Sequence, residues 1–183
     1  MQITGKVGLP KNTYIVGFNW VNPTRILFSI GEKAGELETP TSFGEIYGVN
    51  VDGKGQGNAL IGARSSSSGS RFIAASILST LLKEDDYVLV TIRGEAGTSQ
   101  VARMNVNNGK YMTVVKSPVR NGSFSADPLG QVRVVSGAGS DNRSKTYYRK
   151  SDKSEWEMIN DEALTEKAVS SAGFSADGKT VYL

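Results

Sequence analysis

The sequence predicts an all-β fold of about three to four four-stranded antiparallel sheets, and three observations carry that prediction. First, a turn-and-strand unit recurs: GSFSADPLGQVRVV at 122–135 and GFSADGKTVYL at 173–183 share an FSAD core, with weaker relatives FNWVNPTRILFSI at 18–30 and ILSTLLKEDDYVLVTI at 77–92. Second, Asp52-Gly53 and Asn108-Gly109 separate short strand-like runs. Such dipeptides supply the positive φ angles that tight hairpin turns need. Third, pairs such as Val114-Val115 and Tyr147-Tyr148 suit half-buried sheet surfaces.

The elements follow in order. Residues 1–10 read as a lead-in strand around Gln2 to Val7. Taking the first residue of each second strand as a landmark, Arg25, Tyr87, Gln131 and Lys179 are 62, 44 and 48 residues apart. The two shorter spacings match the period of about 40–50 residues of four-stranded propeller blades. The long interval holds two polar insertions, GEKAGELETPTSFG (31–44) and GARSSSSGSR (62–71), which read as loops. Each interval adds a second hairpin: EIYGVNVDGKGQGNALIG (45–62), SQVARMNVNNGKYMTVV (99–115) and KTYYRKSDKSEWEMIN (145–160). SILSTLLKEDD (76–86) and DEALTEKAVSS (161–171) are each readable as a one-turn helix or a strand. The result is one partial propeller domain over 1–183, with blades at approximately 13–66, 71–117 and 118–163 and an incomplete one at 167–183. Its last hairpin is expected to find its partner strands in sequence outside this chain.

The units FSADPLGQVRVV and FSADGKTVYL resemble the repeats of TolB-like and WD40-like β-propellers. WVNPTRILFSI, VNVDGKG, DYVLVTI and FSADGKTVYL together resemble the propeller of bacterial prolyl-oligopeptidase-type serine peptidases, the acylaminoacyl-peptidase-like and dipeptidyl-aminopeptidase-like enzymes. WVNPTR, Trp20 through Arg25, is the piece most particular to that family. The resemblance implies a parent in which the propeller is a lid over an α/β-hydrolase domain, which carries a G-x-S-x-G elbow and a Ser-Asp-His triad. This chain departs from it in having neither. The implied role is a non-catalytic segment that gates access of a peptide substrate to a hydrolase domain absent from the chain, with its own missing blades and that domain as partners. The alternative is a TolB-like propeller serving as a protein interaction scaffold.

Composition narrows the chemistry. With no histidine and no cysteine, the chain alone supplies neither a Ser-His-Asp nor a Cys-His nucleophile, no His- or Cys-bound zinc and no disulfide. Catalytic, cofactor-binding and metal residues are therefore all expected to be none. At 38% hydrophobic and 21% charged residues the composition is globular. The net charge of +3 comes from scattered basic residues with no run of four, which argues against nucleic acid. No 18-residue apolar stretch or signal-peptide h-region is present, so no membrane partner is expected. Lack of cysteine suits either the cytoplasm or a bacterial periplasm. Open strand edges and exposed inner faces of an incomplete array predict self-association.

Five local features invite sharper readings. Gly48–Gly55 nearly matches the phosphate-cradling loop, but a glycine stands where the magnesium-binding hydroxyl belongs, and a hairpin turn accounts for it. Asp52, Asn105-Asn107-Asn108 and Asp141-Asn142 could offer oxygen ligands to calcium, yet lack EF-hand spacing and suit turns. Asp85-Asp86 and Asp161-Glu162 are carboxylate pairs better placed in polar turns than in an acid–base site. Phe18 and Trp20, at i and i+2, share a strand face and are expected in the packing between blades. Tyr147-Tyr148-Arg149-Lys150 reads either as a partner surface or as an outer strand with one buried face.

Overall fold

The computed structural model describes residues 5–35, 37–55, 57, 59–63, 65 and 73–183. It is an all-β chain of antiparallel sheets in series. The first sheet has three strands, β1 (Thr13–Asn22), β2 (Arg25–Glu32) and β3 (Thr41–Asn50), in the order β1-β2-β3. The second has four: β4 (Ala74–Thr80), β5 (Tyr87–Arg93), β6 (Ser99–Asn105) and β7 (Tyr111–Lys116). The third also has four: β8 (Arg120–Ala126), β9 (Val132–Ala138), β10 (Ser144–Tyr148) and β11 (Glu157–Asp161). A last hairpin pairs β12 (Gly173–Phe174) with β13 (Val181–Tyr182).

Landmarks Arg25 and Tyr87 open β2 and β5, whereas Gln131 and Lys179 fall in the turns just ahead of β9 and β13. Of the two ambiguous stretches, 76–86 is the end of β4 followed by a turn, and 161–171 holds one helical turn, α1 (Glu162–Thr165). That turn is capped by the Asp161 side chain, which accepts from the Ala163 N–H.

Three expectations need correction. Among the described residues the hairpin over 45–62 has its Asp52-Gly53 turn but no second strand, and the first sheet is three-stranded. Gly53 and Gly55 lie at φ +79° and +70°, and Gly-rich chain adds no side chain to pack, so the pairing described there is the isolated bridge Ile46–Ile61. Residues 5–10 form no strand; the rest of the expected lead-in strand, and most of the 62–71 loop, lie outside the described residues. Phe18 and Trp20 do share a face, but they are 64% and 54% exposed, so they are not core. Their cross-strand partners Phe28 and Ile26 belong to a small cluster with Ile30, Val49 and Tyr47, against which Val7 and Leu9 of the lead-in segment pack, while Phe18 and Trp20 stay exposed.

Sheet-on-sheet packing explains the rest. Leu27 and Ile46 of the first sheet meet Val88, Val90 and Met104 of the second in one buried cluster. On its other face the second sheet offers Leu89 and Val101 to Phe124, Val132 and Val135 of the third. Alternate residues of β5 thus face opposite neighbours, and β5 is a near-continuous apolar run because both its faces are buried. Side chains stitch the sheets at their ends. The Arg25 Nε–H donates to the Val106 carbonyl at 2.7 Å, and the Asn22 amide donates to the Asp85 carbonyl at 2.9 Å. Beyond the third sheet, the Thr146 hydroxyl donates to the Val169 carbonyl and holds the link to β12.

Lys145 bridges Asp161 at 2.5 Å and Asp141 at 2.9 Å. Its ammonium, followed by the Ala163 N–H, holds the Asp161 carboxyl below the ordinary 3.8; with the Arg143 N–H it does the same to Asp141. The carboxylates, Asp161 first, raise Lys145 above 10.5. Depressed carboxyls stabilise above their unfolded range and lose that contribution as pH falls through the folded values; a raised lysine loses its contribution only as pH climbs past its folded value. The contribution is therefore complete from about pH 5 to pH 9. Replacing Lys145 with Met is expected to lower stability at pH 7, with the gap to wild type narrowing below the carboxylate range. Denaturant unfolding at several pH values checks this, and a gap constant down to strong acid would count against the cluster.

Candidate functional site

A cleft of about 790 Å³ lies at one end of the second and third sheets. Two turns build it. Between β5 and β6 the chain makes a 3-10 turn, Glu95–Gly97, closed by Thr98, whose N–H and hydroxyl both donate to the Glu95 carbonyl at 3.1 and 2.9 Å. Ala96 and Gly97 are consecutive residues in the left-handed region, at φ +55° and +74°. At Gly97 a β-carbon would also come within 3.0 Å of the Asn121 side chain, so glycine suits this position on both counts. Between β7 and β8 the Ser117 hydroxyl donates to the Val119 carbonyl at 2.7 Å and accepts the Val119 N–H at 3.1 Å, folding the Ser-Pro segment tightly.

Ile73, Ile92, Tyr111 and Val119 give the cleft apolar walls, and Glu95, Lys116 and Arg120 stand at its rim. Arg120 is already engaged, donating to the Gly139 carbonyl at 3.1 Å and to Asn142 Oδ1 at 2.5 Å. The lining also includes Ser99, which is buried and whose Oγ has no hydrogen-bond partner among the described residues. Gly122 makes room here: a β-carbon on it would lie 2.3 Å from Ser117 Oγ and 2.8 Å from Ser99 Oγ. An orphaned buried hydroxyl costs about 1–3 kcal/mol. Replacing Ser99 with Ala is therefore expected to leave stability unchanged or raise it slightly, unlike most buried substitutions. A loss of more than about 1 kcal/mol in thermal or denaturant unfolding would show that the hydroxyl is bonded after all.

The cleft combines apolar walls, charges of both signs and a hydroxyl, a set that can hold an extended polar chain. Nucleophilic catalysis by Ser99 would need a base hydrogen-bonded to its hydroxyl, and among the described residues none is bonded to it.

The residues weighed individually in the sequence sit elsewhere, in structural roles. Gly48 lies inside β3 against the Arg25 guanidinium, and the Asp52 carboxylate accepts the Lys54 N–H at 2.9 Å as the turn closes. Asn105 Oδ1 accepts the N–H groups of Asn107 and Asn108, and Asp141 that of Arg143. Among the described residues no three His, Cys, Asp or Glu side chains are grouped to hold a metal ion. Glu162 accepts the Ser144 N–H at 2.7 Å, and Asp86 accepts from the Asn107 amide at 3.3 Å. Tyr147 packs into the core between the second and third sheets, and Arg149, 3% exposed, binds the Val132 carbonyl at 2.6 Å. β10 is an interior strand, so the outer-strand reading of Tyr147–Lys150 is corrected, and the buried Arg149 cannot serve a partner surface.

Sequence reasoning did not single out the cleft. Its one signal was GEAGTSQ at 94–100 and KSPVRNG at 116–122, two turn-rich stretches flanking the β6–β7 hairpin on the same side. Compared with protein-family models, curated proteins and solved structures, the chain matches none.

Proposed function

We propose that this chain is a non-catalytic β-propeller segment of a prolyl-oligopeptidase-type serine peptidase, where it gates substrate access to a hydrolase domain and lends a wall to the peptide cleft. The observation that supports this best is the way the sheets follow one another. Each is an up-and-down meander, and β4, the first strand of its sheet, lies against β3 and also against β1 and β8, the first strands of its neighbours. First strands side by side around an axis are how propeller blades line a central channel. The β5–β6 and β7–β8 turns that form the cleft lie together at one end of the second sheet. A chain without histidine fits a positional role, with the nucleophile and base supplied by another domain.

The test has two arms. The reading frame followed beyond Leu183 is expected to encode G-x-S-x-G with Asp and His after it, and its full product to react with a fluorophosphonate probe that leaves this chain unlabelled. Further repeats ending in a stop codon, or turnover of an aminoacyl-nitroanilide by this chain alone, would sink the reading. A second reading, a TolB-like interaction scaffold, is favoured by the exposed apolar face around Phe18 and Trp20, since exposed apolar patches are a common feature of interaction surfaces.

A further inference from the structure

We draw no further inference here: the strongest candidate, the exposed apolar face of β1 around Ile15, Phe18 and Trp20 on the first sheet, carries nothing because nothing in the structure shows what covers it.

Discussion

Replacing Leu27 with alanine is expected to destabilise the chain by about 2–5 kcal/mol, near the most that a single core truncation costs. Leu27 is fully buried on the face of β2 that meets the second sheet, among Ile46, Val88, Val90 and Met104. Removing its isobutyl group gives up the transfer free energy and leaves a cavity between two sheets whose backbones are held by their own ladders and cannot close it. The control is Phe18→Ala on the neighbouring strand. Phe18 is the larger residue, but at 64% exposure its truncation should fall within about 0.5 kcal/mol of wild type. Chemical denaturation of the two variants separates a stack of sheets from a fold in which β1 and β2 are covered alike.

Arg149→Ala is expected to cost about 2–4 kcal/mol through polar interactions and not through a cavity alone. The guanidinium is 3% exposed and holds three things at once: the Val132 carbonyl at 2.6 Å, Asp152 at 2.5 Å, and the Trp156 ring with its centre 4.9 Å away. Asp152 in turn accepts the Val132 N–H at 3.2 Å, so the start of β9 is fixed to the turn after β10 through one arginine. Burial pushes the Arg149 pKa down from its ordinary value, yet the group stays charged, since arginine does not deprotonate in proteins. Arg149→Met, which keeps the stem over Trp156 but not the donors, should fall between wild type and alanine. A methionine variant as stable as wild type would show that packing carries the effect and the hydrogen bonds carry little.

What could be read in advance divides along physical lines. Turns were legible because their chemistry is local. The Asn108-Gly109 turn joins β6 to β7 with Gly109 at φ +69°, and the two FSAD copies mark turns in which the aspartate carboxylate collects backbone N–H groups. Asp127 accepts from Leu129 and Gln131, Asp177 from Lys179. The copies are still not equivalent. Asp127 is buried and paired with Arg133 at 3.1 Å, whereas the Asp177 turn lies at the surface. Likeness in a short motif thus carried the hairpin and not its surroundings.

Strand length and cover were not legible, because both depend on distant neighbours. The fourth strand expected after Asp52-Gly53 failed where glycine leaves nothing to pack. The shared face of Phe18 and Trp20 followed from period-two geometry, but what covers that face is a tertiary fact. The cleft was missed for the same reason. Ser99 and Ser117 stand 18 positions apart, and only the pairing that lets the Ser117 N–H donate to the Ser99 carbonyl at 2.9 Å brings the two turns together.

The sheets pack in series, with the second buried on both faces. Residue-resolved amide hydrogen exchange tests this packing most directly, because each strand reports its own opening free energy. β5 and β6 are expected to exchange only at the rate set by global unfolding, slower than β1 on the open leading face. Exchange of β5 and β6 well above that limit, with β1 equally or better protected, would contradict it.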